Sequence, residues 1–361
     1  MKNTKESGID IDLGNRCSQI AYSWAKKTFD IRKNLSGKPA EGLEGAFSNV
    51  MDFNGVKIGT SSDGIGTKIE LAERMKKYDT IGFDLVAMVA DDLVSNGIEP
   101  VNLSNIIDVD FLDSNVINDL MRGLYNACEF ANIIITGGEI AELGSRISGY
   151  GDGMHFNWCA TGNGILPENI KIIDGYDINP GDSIISLKSR GFRSNGFSLL
   201  RKIMSTNFGD EWHREEYSDE RKWGDILLTP SLIYTPLIVS LIKNNVKLNG
   251  IAHITGGGIK DNLKRFLKNR NLGAKLDNLF PPLEFMKQIQ ALGEVTEEKA
   301  YEIWNMGNGM LIIVNSPEVD SILTRIEKLG YRACVAGKVT STPEISIQSS
   351  GCNPQALSVR Y

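Results

Sequence analysis

Short stretches of strand character alternate with amphipathic helical segments along almost the whole chain, and several strands run directly into glycine-rich turns. This rhythm confines the fold to layered α/β or α+β architectures, and periodicity alone does not choose between them. Residues 16–31 read as a helix, with Ile20, Trp24 and Phe29 on a helical repeat. Residues 43–53 read as loop. Residues 55–61 alternate as a strand that enters Asp63-Gly64-Ile65-Gly66. A helix over 84–96 ends at Gly97, a residue type suited to the left-handed C-terminal position. A strand is expected near 101–107, then a helix over 115–131 capped by Asp113 or Ser114. Ile133-Ile134-Ile135 reads as a buried strand that ends in Thr136-Gly137-Gly138-Glu139.

The second half continues the rhythm. The turn Asn179-Pro180-Gly181-Asp182 precedes a strand over Ser183–Leu187. Helices follow Ser194-Asn195-Gly196 and Thr255-Gly256-Gly257-Gly258, and the strand Gly309–Val314 precedes a helix over 317–329. The last dozen residues read as a poorly ordered tail. The 361 residues exceed the usual size of one domain, and the change of rhythm predicts two, 1–166 and 167–361.

Composition excludes several classes of function. The net charge is −6 and no Lys/Arg-rich run offsets it, so neither nucleic acid nor an anionic membrane is expected as a partner. No run of about 20 apolar residues exists to span a bilayer. The opening MKNTKESGIDID has no apolar stretch, so no secretory leader is expected. Five cysteines (17, 128, 159, 334 and 352) form no Cys-x-x-Cys pair, which predicts neither a zinc site nor a disulfide framework and fits a reducing cytoplasm. Three histidines, His155, His213 and His253, are few for a histidine-based metal centre.

Acids at the ends of predicted elements are the chemically suggestive residues. Asp63 lies in Ser61-Ser62-Asp63-Gly64-Ile65-Gly66-Thr67-Lys68, Asp91 and Asp92 lie on the second helix, and Glu139 follows a glycine pair. Mg²⁺ takes hard oxygen ligands, commonly one or two carboxylates together with substrate phosphates. Glycines beside such acids let backbone N–H groups approach phosphate oxygens. Each acid taken singly also fits a turn or a helix cap. The helix starts after Gly196 and after Gly257 suit an anion, through free N–H groups and the helix dipole. His253, two residues before the glycine run, reads as a core histidine or a general acid–base.

The ordered strings SGIDIDLGN, SSDGIGTK, DTIGFDLVAMVADDLVSNGIEP, GGEIAE, RSNGFSLLRKI, AHITGGGIKDNL and NMGNGM resemble the motifs of aminoimidazole ribonucleotide synthetase, from about residue 8 to residue 340. The resemblance implies a two-domain synthetase fold. Its N-terminal domain binds ATP and pairs a four-stranded sheet with a second subunit in a homodimer barrel, and a C-terminal α/β domain covers it. It implies ATP and Mg²⁺ as cofactors, a small ribonucleotide substrate, and Asp63, Asp92 and Glu139 as metal ligands. Those three acids and Asn195 form the implied catalytic set. Lys27, Gly64, Gly66, Thr67, Lys68, Asp84, Gly137 and Gly138 would join Asp63 in holding the nucleotide. Ser62, Arg193, Ser194, Asn195, Gly196, Gly256 and Gly257 would hold the substrate. The implied reaction is ATP-dependent ring closure of formylglycinamidine ribonucleotide.

The chain departs from the family pattern in places. Its first glycine-rich loop is reduced to Gly42-Leu43-Glu44-Gly45-Ala46-Phe47, Arg193 stands where the family has histidine, and Leu232 stands where it has arginine. Ser104-Asn105-Ile106-Ile107 replaces the family's Leu-Asp-Tyr-Tyr. Arg193 is therefore expected to take over an anion contact. A different phosphoryl acceptor, or a nucleotide-binding role without catalysis, are the alternatives.

Overall fold

The computed structural model describes residues 11–32, 34–43, 45–218 and 220–361. Residues 1–10, and with them most of the opening read above as having no secretory leader, lie outside the described residues, as does Glu44 of the reduced glycine loop.

Strands fall into two large sheets and one small hairpin. The first sheet takes β1 (Lys38–Pro39), β2 (Asn49–Phe53), β3 (Val56–Gly64), β4 (Glu99–Val109), β5 (Ile134–Glu142) and β6 (Phe156–Ile165), in the order β1-β2-β3-β6-β4-β5. Interspersed are α1 (Ile11–Lys27), α2 (Ile69–Met75), α3 (Ile81–Ser95) and α4 (Ser114–Ala131). The second sheet takes β7 (Ser183–Lys188), β10 (Gly250–His253), β11 (Gly273–Leu276), β12 (Asn308–Val314), β13 (Ala333–Thr340), β14 (Glu344–Gln348) and β15 (Ala356–Arg360), in the order β10-β12-β7-β13-β11-β14-β15. The hairpin pairs β8 (Glu216–Ser218) with β9 (Arg221–Lys222). The remaining helices are α5 (Phe197–Phe208), α6 (Trp223–Leu227), α7 (Thr235–Lys243), α8 (Gly258–Leu267), α9 (Glu284–Leu292), α10 (Glu297–Ile303) and α11 (Val319–Lys328). Both sheets mix parallel and antiparallel pairs.

Helix α3 is apolar nearly all round, because it is enclosed between the first sheet, α4 and the second half of the chain. A Cβ on Gly123 would come within 2.4 Å of the Asp79 carbonyl, so only glycine lets α4 approach the start of α3 this closely. Asp113 caps α4 as expected, accepting from the N–H groups of Asn115 and Val116.

Three expectations are corrected here. Residues 49–53 are not loop; they pair with β3 across Asn54-Gly55, both at positive φ, the geometry of a tight hairpin. The Ile133–Ile135 strand is not buried as a whole. Only Ile133 is enclosed, because β5 is an edge strand and leaves Ile134 and Ile135 exposed. The last dozen residues are not a loose tail. They form β15 against β14, Leu357 enters the core, and the Tyr361 hydroxyl donates to the Leu272 carbonyl.

Candidate active site

The segment after β3, the last turns of α3 and the starts of α5 and α8 meet in a cleft between the two sheets. Thr67 Oγ1 lies 3.1 Å from Ser198 Oγ at the start of α5. A Cβ on Gly66 would face the Ser194 carbonyl at 3.8 Å, and one on Gly256 would face Asn195 Oδ1 at 3.7 Å. The Asn195 amide lies 3.8 Å from the sulfur of Met88, on α3. The motifs around Asp63, Asn195 and Gly256 thus converge although they stand far apart in sequence.

Neither α5 nor α8 has a side-chain cap, and each begins after a glycine in the left-handed region, Gly196 and Gly257. At α5 the first N–H groups are left for a ligand, whereas the Gly258 N–H that opens α8 donates to the Thr255 carbonyl at 3.1 Å. At Gly196 a Cβ would strike the Trp304 ring at 2.4 Å, so the turn that opens α5 requires glycine. The Ser194 hydroxyl beside it is buried and has no hydrogen-bond partner among the described residues.

Two acids, Asp63 at the end of β3 and Asp92 on α3, are perturbed in the same region. Burial pushes Asp63 up to about 6; the Gly64 N–H opposes the rise and the charge of Asp92 adds to it. Burial pushes Asp92 up to about 7, against the pull of Arg265 and Arg193. Asp92 Oδ1 sits 2.6 Å from Nδ1 of His253. Burial, with the Arg193 charge, pulls His253 down to about 3, so its ring is neutral, and its Nε2 has no partner among the described residues. The Arg265 guanidinium lies 4.4 Å from the centroid of Phe47, which packs against Phe266. The involvement of Arg265, Met88 and His253 is not visible in residue spacing. Of the three, only His253 carried a signal, its place just before the glycine run.

A pair of desolvated carboxylates, one of them raised further by the charge of the other, is a donor set that a hard divalent cation relieves. Asp63 and Asp92, with the Thr67 hydroxyl nearby, therefore fit Mg²⁺.

The other expected site residues lie elsewhere. Lys68 and Asp84 are fully buried and joined at 2.8 Å. Lys68 also donates to the Thr229 carbonyl at 2.8 Å, and Asp84 accepts from the N–H and hydroxyl of Ser231. This closed pair has no face toward a nucleotide. Glu139 is not gathered with the other two acids. In the sheet register Asp63, Ala160, Asn105 and Gly138 form one row, and Gly64, Cys159, Ile106 and Glu139 the next. Ala160 and Asn105 are buried whereas Ile106 is exposed, so Glu139 stands on the opposite face, roughly 14 Å from Gly64 by three strand spacings. No cluster of three or more metal-ligating side chains forms among the described residues. Ser62 is also on the open face, paired with Thr161 at 2.8 Å, and Gly137 is exposed on the edge strand. Lys27 lies on exposed α1, its ammonium 3.6 Å from the ring centroid of Trp24.

Comparison with known proteins assigns the fold to a family. Residues 47–163 match the AIR synthase related protein N-terminal domain, and residues 179–350 match its C-terminal domain. The phosphoribosylformylglycinamidine cyclo-ligase of Thermococcus kodakarensis is 35% identical over 346 residues, covering 96% of this chain and 98% of that protein. The chain belongs to the AIR synthase family. Within solved structures, the thiamine-monophosphate kinase of Stenotrophomonas maltophilia K279a superposes with a TM-score of 0.60 at 12% identity, over 86% of this chain and 90% of that one. A hydrogenase maturation protein HypE in complex with ATP superposes with a TM-score of 0.58 at 15% identity, over 83% and 84%. These distant likenesses concern the fold.

Among the departures of this AIR synthase family member, Arg193 is the one the structure explains most fully. It is not an exposed anion contact. Its side chain is 1% exposed, and it donates to Asp91 at 2.7 Å and to the Gly309 carbonyl at 3.2 Å. A carboxylate and a carbonyl take Nη2 and Nη1, and burial closes the rest of the guanidinium to a soluble anion. Asn105, another departure, accepts from the Trp158 indole at 3.0 Å and packs the inner face of the sheet.

Proposed function

We propose that this chain closes the imidazole ring of formylglycinamidine ribonucleotide with consumption of ATP. The observation that carries the reading is the pair Asp63 and Asp92, both desolvated and pushed well above the usual carboxylate range, in the region where two helices start without side-chain caps. One wall suits a divalent cation with nucleotide phosphates, and the other suits the phosphate of a ribonucleotide.

An amide oxygen is a poor leaving group. Its attack on the γ-phosphorus of ATP releases ADP and converts it to a phosphate ester of the imidic acid. A substrate nitrogen then attacks the same carbon, inorganic phosphate departs, and the ring closes with loss of a proton. The protein's part is orientation and charge neutralisation. Asp63, Asp92 and Thr67 would hold Mg²⁺, which when bound neutralises charge on the transferring phosphoryl group. The N–H groups of Gly66 and Thr67 would face the nucleotide, since those of Gly64 and Ile65 already donate to the Asp63 carboxylate and the Trp158 carbonyl. Asn195, the Ser194 hydroxyl and the N–H groups after Gly196 fix the substrate phosphate.

The same reading includes a homodimer in the cytoplasm. Three observations support it. β5 presents an exposed strand edge. The open sheet face carries the pairs Thr60–Asn163, Ser62–Thr161 and Asn102–Thr136, flanked by exposed Ile58, Ile106 and Ile134. No helix among the described residues is long and apolar enough to cross a membrane.

Purified protein given Mg-ATP and formylglycinamidine ribonucleotide should release ADP and the aminoimidazole product one for one. ATP binding without either product would assign the cleft to another acceptor. Sedimentation should give about twice the chain mass of 39.7 kDa, and a monomer at working concentration would remove the dimer from the proposal.

A further inference from the structure

We infer that Arg193 is a positioning residue that keeps the two walls of the cleft in register, and that the Asp91–Arg193 ion pair exists for this purpose. The inference rests on the cleft being the reaction site.

Arg193 holds φ at +62, a conformation that costs any residue with a Cβ, so its side-chain contacts must over-determine it. Of those contacts the ion pair to Asp91 crosses between the two halves of the molecule, and the others anchor the guanidinium within the second half. Nη2 donates to Asp91 Oδ2 at 2.7 Å, Nη1 donates to the Gly309 carbonyl at 3.2 Å, and the guanidinium carbon lies 5.0 Å from the Tyr234 ring centroid. The other oxygen of Asp91 accepts from the N–H groups of Tyr234 and Thr235, both at 2.9 Å, and from the Thr235 hydroxyl at 3.0 Å. Asp91 is thereby gripped entirely by the second half of the chain, although it belongs to α3.

Each partner is one covalent step from a wall of the cleft. Asp92 follows Asp91, and Ser194-Asn195-Gly196 follows Arg193. A sliding or rotation of α3 against the second sheet would separate Asp92 from Asn195, and this ion pair opposes it directly. Burying two charges is costly, and an apolar pair of similar volume would hold the halves together at least as well. Retaining the charges is therefore better explained by directional geometry than by adhesion, since a displacement of about 1 Å at reacting groups can cost on the order of 100-fold in rate.

The test is the double variant Asp91→Asn with Arg193→Met, which leaves no unpaired charge. Its melting midpoint should lie closer to that of the unchanged protein than either single variant's. Its kcat should nevertheless fall about ten-fold or more, and its Kd for Mg-ATP should weaken about five-fold. Arg193→Lys keeps a charge for Asp91 but loses the planar fork, and should recover only part of kcat. A folded double variant with kcat and Mg-ATP affinity both within about two-fold of the unchanged protein would overturn the inference. If the double variant does not fold, Arg193→Lys decides, and an unaltered kcat there overturns it. If the unchanged protein does not turn over formylglycinamidine ribonucleotide, the acceptor assignment fails, and Mg-ATP affinity alone judges the positioning role.

Discussion

The end of β3 with the turn that follows it meets helix α3 twice, with opposite results. In one meeting Lys68 faces Asp84, both fully buried, 2.8 Å apart, with Thr229 and Ser231 completing their hydrogen bonds. In the other, the charge of Asp92 raises Asp63, acid beside acid, and burial pushes both well above the usual carboxylate range. The two elements therefore build one closed polar site and one unfinished site. A closed pair serves the interface between the two halves. An unfinished pair disfavours its own charge and stays in the fold because something else completes it. Adjacent Asp91 and Asp92 repeat the lesson at finer scale: Asp91 is saturated by Arg193, Tyr234 and Thr235, whereas Asp92 has His253 and the cleft.

The largest expected effect breaks the closed site. Lys68→Met alone leaves Asp84 buried without a countercharge and should cost about 3–5 kcal/mol in chemical denaturation. Adding Asp84→Asn should recover much of that loss. Equal stability of the single variant and the unchanged protein would remove the distinction between the sites.

The unfinished site should respond in the opposite sense. Asp92→Asn should lower turnover by about 100-fold or more, while its melting midpoint stays level or rises because a costly buried charge is gone. Loss of stability together with activity would place Asp92 in the structural class with Asp84.

A smaller effect is expected at a half-exposed acid that belongs to neither site. Asp110 Oδ2 lies 2.6 Å from His155 Nδ1, and this contact closes the loop that Glu73 holds through the Tyr150 N–H. Burial alone would lower His155, but the bond to Asp110 and the charge of Glu73 raise it above 6.5. Burial alone would raise Asp110, but the N–H and ring of His155 hold it below 3.8. The histidine's contribution to stability is complete below pH 6.5 and is lost as pH rises through its folded value. The aspartate's contribution is present above pH 3.8 and is lost as pH falls through its own folded value. The stability advantage of the unchanged protein over Asp110→Asn, read as melting midpoint, should be greatest between about pH 4 and pH 6.5 and shrink by about pH 8. An advantage independent of pH would contradict this.

How much of this was legible in the sequence differs from element to element. Helices α3 and α4 carry strong local signals, the Gly97 stop and the Asp113 cap, and both form as expected. The helices after Gly196 and Gly257 likewise announce themselves. The hairpin at 49–53 had its signal in Asn54-Gly55, which the loop reading passed over. Strand β15 was obscured because the polar run before it reads as loop, yet Glu297 takes the N–H of Gly351 at 2.6 Å and fixes that run. The acids near the cleft were legible as residues but not as partners. Spacing cannot show that Arg193 reaches an aspartate 102 positions earlier, or that strand alternation sends Glu139 to the other face.

The account stands most directly on one measurement, calorimetric titration of ATP with and without Mg²⁺ into the unchanged protein, Asp63→Asn and Asp92→Asn. The prediction is that Mg²⁺ strengthens ATP binding in the unchanged protein and loses most of that effect in both variants, which remain folded. Equal Mg²⁺ dependence in all three proteins would contradict it and would mean that the unfinished pair of acids is not where the cation and the nucleotide meet.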